Sequence, residues 1–208
     1  MKQAVLTITL LLAALPSFGQ QEHLEPAKDF KQYDDDSVLR KYYDNVFCRL
    51  YKGFAEKPFA RYTSMPSFSH EHAFSVETID SKHYIISNRF SGNYWYAKRR
   101  NAVRLITGRT EIDSTLYSKM GKLFQLLAEQ IKEPEQDVMG LDGVTYYFST
   151  TAKSGEVKTG ETWSPKDGSL LSKLVEICDT LYAAGIGNRT LPANLSEEID
   201  KLVSRLMQ

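Results

Sequence analysis

Two of the four histidines of this 208-residue chain stand two apart in the stretch Phe68-Ser69-His70-Glu71-His72-Ala73-Phe74-Ser75-Val76, with a carboxylate between them. Residues two apart on a strand point the same way, so His70 and His72 can begin a metal site, and zinc then needs at least one more protein ligand. Glu71 is not that ligand, because strand alternation puts it on the opposite side with Ser69 and Ser75. His83 follows the next turn. If Thr78 pairs with His83, that imidazole lies six residues along the strand from His72, or ~20 Å away. A three-residue loop matches the apolar residues better. It sets Val76, Phe74 and His72 opposite Tyr84, Ile86 and Asn88, turns His83 away, and offers Asn88 as a hydrogen-bond partner for His72. Hydrogen-bonded histidines on the inner face of a strand are therefore the favoured reading, and a metal completed by a remote carboxylate is the alternative. No cofactor is otherwise expected.

The segment Asn93-Tyr94-Trp95-Tyr96-Ala97-Lys98-Arg99-Arg100, followed by Arg104, is the chain's basic and aromatic concentration. Guanidinium groups hold anions through charged hydrogen bonds, and aromatic rings stack on a sugar face or on a cation. Tyr94, Trp95, Tyr96, Arg99, Arg100 and Arg104 are accordingly the candidate ligand-binding residues, against the plainer reading of a hairpin whose aromatics cover the sheet. For nucleophilic catalysis there is no GxSxG elbow, and neither cysteine has a histidine beside it. Phosphate and dinucleotide loops are absent too, since Gly185-Ile186-Gly187 follows a helical pattern where a strand is required. Nothing in the motifs argues for an enzyme.

Lysine plus arginine and aspartate plus glutamate each number 26, so no net field draws the chain to nucleic acid. The opening Met1-Lys2 and the apolar run from Ala4 to Pro16, closed by Ser17-Phe18-Gly19, have the form of a bacterial secretory signal with cleavage after Gly19. The apolar run is ~12 residues, short of the ~20 that span a bilayer, so no stable membrane span is expected after cleavage. Cys48 and Cys178 permit one disulfide in an oxidising compartment; otherwise both pack as small hydrophobes on helix stripes.

Spacing of apolar residues organises the rest. After a polar lead over residues 20–33, residues 34–208 read as one α+β domain. Asp34-Asp35-Asp36-Ser37 precede a three-and-four stripe from Val38 to Tyr51 that Gly53 stops. A period of two follows, with strands expected over Phe59 to Thr63, Ser69 to Thr78, His83 to Phe90, Asn93 to Lys98 and Ala102 to Thr107 in an antiparallel meander. Asp113-Ser114 caps a second helix ending before Pro134. A hairpin pairs Val144 to Phe148 with Glu156 to Trp163, and Ser164 or Asp167 is the expected cap of a third helix running to Gly185. A last helix starts near Leu195. The expected architecture is an antiparallel sheet with about four amphipathic helices packed mainly on one face. The function this supports is an exported, periplasmic or secreted, non-catalytic domain that binds an envelope protein, a glycan or an anionic small molecule. The alternatives are an envelope hydrolase or metal-dependent enzyme using the His70/His72 face, and a structural or inhibitory envelope partner acting through an open strand edge.

Overall fold

The computed structural model describes residues 23–27, 37–134 and 142–208. The expected signal peptide and the Asp34 to Asp36 run lie outside them. The described residues form an α+β fold of four helices and a seven-stranded antiparallel sheet. In chain order the elements are β1 (Glu25–Pro26), α1 (Ser37–Leu50), β2 (Ala60–Pro66), β3 (His72–Ile79), β4 (Lys82–Phe90), β5 (Leu105–Ile112), α2 (Ser114–Glu129), β6 (Val144–Thr151), β7 (Val157–Trp163), α3 (Leu170–Gly185) and α4 (Leu195–Leu206). The strands lie side by side as β1-β7-β6-β2-β3-β4-β5, with β5 ending the sheet. Part of the stretch expected as a polar lead is strand instead: Leu24 is buried, and Glu25 and Pro26 pair with Glu161 and Gly160 of β7.

Alternation along the strands builds two cores. Tyr62, Phe74, Val76, Ile85 and Phe148 pack with α2, α3 and α4, whose buried stripes include Leu123, Phe124, Leu174, Cys178, Leu181, Ile199 and Leu202. The intervening residues Ala73, Met65, Phe90 and Tyr147 face the other way and pack with Tyr42, Val46 and Leu50 of α1. Three helices thus share one core cluster and α1 covers the opposite face. This division overturns the disulfide. Cys48 lies exposed on α1 and Cys178 is fully buried on α3, so the sheet stands between the two free thiols.

Local chemistry fixes the element ends. Asp113 caps α2 as expected, its carboxylate accepting from the Leu116 N–H at 2.7 Å. The cap of α3 is Ser169, which accepts from the Ser172 N–H at 3.0 Å. Neither Ser164 nor Asp167 takes that role, because Ser164 bends the chain at φ 37° and turns its hydroxyl back to the Val144 N–H. Asn88 closes α1 from the sheet, donating to the carbonyls of Leu50 at 2.7 Å and Lys52 at 3.0 Å. Those orphan carbonyls would otherwise be buried without donors.

Candidate functional site

The turn after β3 decides where the histidines lie. Asp80 and Ser81 both take left-handed backbone, φ 49° and 64°, and close a two-residue hairpin of the kind whose twist suits the flanking strands. Thr78 therefore pairs with His83, and Arg89, not Asn88, stands opposite His72. The three-residue register is wrong by one residue, and the proposed His72–Asn88 contact fails because Asn88 faces α1. His83 is held at the far end, its Nδ1 3.0 Å from the Thr78 hydroxyl and its ring stacked on Tyr117 at 3.8 Å. At the near end the strand begins only at His72, leaving His70 exposed in the preceding loop. Among the described residues no three His, Cys, Asp or Glu side chains come together in a way that could hold a metal ion.

Glu71 does face away from His72, into the α1 side. It is fully buried. Its carboxylate accepts from the Tyr42 hydroxyl at 2.9 Å and from the Tyr94 N–H at 3.0 and 3.1 Å, so one side chain ties α1 to two loops. Burial, and then the neighbouring Glu71 charge, pushes the Tyr42 hydroxyl well above the ordinary tyrosine range, which keeps it a donor.

The basic and aromatic segment is not a strand. Asn93 folds it into a loop by donating to the Ser69 carbonyl at 2.7 Å and accepting from the Tyr96 N–H at 3.0 Å, and β5 starts three residues later than expected. The six candidate residues divide. Tyr94 enters the α1 core, Trp95 meets Tyr42 edge-on at 4.9 Å, and the half-buried Arg100 lies 5.7 and 5.6 Å from the Tyr94 and Trp95 ring centres. Arg49 of α1 sits over Tyr94 as well, at 5.2 Å, and donates to the Arg100 carbonyl. Tyr96, Arg99 and Arg104 stay at the surface. Tyr96, 61% exposed, stacks on Phe68, 69% exposed, with ring centres 6.2 Å apart and planes 10° from parallel. The loops carrying Phe68, His70, Tyr96 and the cations Lys98, Arg99 and Arg104 form one rim, and no acidic residue occurs between Asp80 and Glu111.

A second grouping lies on the opposite sheet face and was hidden in the sequence, apart from His72. Tyr62 of β2 donates its hydroxyl to Asp179 Oδ1 of α3 at 2.7 Å. His72 Nε2 lies 3.5 Å from the same oxygen, and its ring stacks on Tyr182 at 4.1 Å. Tyr146 of β6 stacks on Tyr62 at 5.9 Å. Arg89, across the ladder from His72, buries its Nε without a hydrogen-bond partner. Burial foremost, and Asp179 after it, raises Tyr146 to about 12; burial likewise raises Tyr182 to about 12, against the opposing charge of Arg89.

Between α3 and α4 a groove of about 390 Å³ is floored by Ile177, Leu195 and Leu202. Its charges answer one another, Lys173 with Glu176 at 2.7 Å and Lys201 with Glu197 and Glu198 at 3.1 Å. Such exposed pairs stabilise little and leave no uncompensated charge for a ligand. No family model, curated protein or solved structure matches this chain. Its function has to be argued from these sites. No helix among the described residues is long and apolar enough to cross a membrane.

Proposed function

We propose that the chain is an exported bacterial binding domain without catalytic chemistry, and that its rim of Phe68, Tyr96, Lys98, Arg99 and Arg104 recognises an acidic glycan. The observation that carries this reading is the exposed, parallel pair of Phe68 and Tyr96. Two large aromatic side chains left in water lose the hydrophobic gain that burial would supply, and together they make an apolar step suited to a ring face. Exposed cations unopposed by nearby carboxylates supply the second half of the chemistry, charge-assisted hydrogen bonds to carboxylate or sulfate groups. Rigidity supports the same reading. Glu71 and Asn93 hold the two loops by buried or short hydrogen bonds, so the rim loses little conformational entropy on binding. The N-terminal signal pattern supports export, which would bring the rim to envelope or extracellular glycans.

The test is calorimetric titration of the mature protein with a polyuronate oligosaccharide at low and moderate salt. Binding is expected to weaken with salt, as contacts among exposed charges do. Arg99→Ala/Arg104→Ala should weaken it by about tenfold or more, and Phe68→Ala/Tyr96→Ala should do so as well, through lost stacking of ~1.4 kcal/mol or more. A charge-only surface would respond to the first variant and ignore the second. Parent-like binding by both variants, or no binding by the parent, removes the proposal.

A further inference from the structure

The Asp179 grouping has the complement of donors and acceptors that the rim lacks. The Asp179 side chain is 47% exposed and His72 is 19% exposed, so the grouping opens to solvent while its base is buried. Tyr62 and His72 both address Oδ1 of Asp179, which leaves Oδ2 as an acceptor for an incoming group. Half-buried Tyr146 and Tyr182 each bring a hydroxyl, and each brings an aromatic face. Arg89 brings a guanidinium whose Nε is buried and unpartnered. That mixture selects the ligand by sign. An anion would be repelled by Asp179, and a cation would meet the fixed charge of Arg89 in the same few ångströms. A neutral molecule whose groups both donate and accept, and which has a C–H face for the tyrosine rings, satisfies every group at once.

We infer that Tyr62, His72, Arg89, Tyr146, Asp179 and Tyr182 form a second binding site, for a neutral saccharide, on the α3 side of the sheet and independent of the acidic-glycan rim. Strand alternation separates the two: Glu71 turns toward the rim and α1, and His72, the next residue, turns toward α3. Asp179 is the central acceptor, positioned by Tyr62 from below. His72, flat against Tyr182, walls one side.

The test uses cellotriose, maltotriose, mannotriose and chitotriose as probes, titrated into the ¹⁵N-labelled mature protein with amide shifts as the readout. At least one trisaccharide is expected to bind and to move the amides of His72, Arg89 and residues 179–182, without moving those of residues 96–104. Asp179→Asn keeps an acceptor for Tyr62 but removes the charge, and is expected to weaken binding by about tenfold. Tyr146→Phe, which deletes one hydroxyl and leaves the packing intact, is expected to weaken it by about threefold or more. Failure of all four trisaccharides to bind at about 10 mM, binding undiminished in both variants, or shifts confined to the rim would each overturn the inference. The last result would leave the rim proposal standing, whereas loss of polyuronate binding alone would leave this site standing.

Discussion

Replacing Glu71 by alanine is expected to cost the fold ~3–5 kcal/mol, the range for removing one partner of a buried charged network. The number follows from what stays behind. Glu71 is fully buried, and its carboxylate takes one hydroxyl and one backbone N–H. Deleting it strands the Tyr42 hydroxyl and the Tyr94 N–H in the α1 core, at ~1–3 kcal/mol for each donor left unpaired. Tyr42→Phe removes only a donor and should cost less, ~1.5–3 kcal/mol, since the carboxylate keeps the Tyr94 N–H. Combining Tyr42→Phe with Glu71→Ala should cost less than the sum of the two, with a coupling of about 1 kcal/mol or more. Urea unfolding of the four proteins, followed by tryptophan fluorescence, measures all three quantities. A Glu71→Ala protein within about 1 kcal/mol of the parent would refute the reasoning, because a solvated or alternatively paired carboxylate could not be pinning the rim loops.

Two further predictions concern conditions and local strain. Tyr51, Tyr146 and Tyr182 are raised to about 12, and burial also lifts Tyr62, so the folded state holds these protons more tightly than the unfolded chain does. Their stabilisation is therefore fully present below pH ~10 and is lost as pH climbs toward about 12, at up to ~1.4 kcal/mol per unit for each tyrosine, less for the half-buried Tyr146 and Tyr182. Urea midpoints that stay level from pH 9 to about pH 11.5 would contradict this. In the β3–β4 hairpin, Asp80→Asn/Ser81→Gly should stabilise the protein by ~1 kcal/mol, because both positions are left-handed and Asn-Gly suits the turn. A thermal midpoint unchanged or lowered in that variant would mean that the Asp80 or Ser81 side chain repays its backbone strain.

Helices were legible where spacing and caps agree. The Asp113 cap, the Gly185 stop and all four apolar stripes follow from three-and-four periodicity, because a helix buries one side whatever the tertiary context. Strand pairing was less legible at turns without glycine. Asp80-Ser81 carries no left-handed signature of the Asn-Gly kind, so the loop was read one residue too long and Asn88 was put on the wrong face. Tyr94 to Tyr96 have the composition of a strand, yet Asn93 competes for the backbone and bends them into a loop. Among site residues, the sequence marked His72 and the cations of the rim but not Asp179, which stands beside buried Cys178 at a position that reads as an ordinary polar flank of α3. Its partners come from β2, β3, β4 and β6, and only the order of strands in the sheet brings them under one helix.

The buried Glu71 carboxylate also gives the molecule a line of communication. Tyr42 on α1 and Tyr94 on the rim answer to the same two oxygens, and Asn88 grips the far end of that helix. The rim cannot loosen without releasing Tyr42, and α1 cannot detach without freeing Tyr94. Loop order and helix docking therefore open as one cooperative unit. A ligand that clamps the rim would slow hydrogen exchange along α1, some distance from any atom it touches.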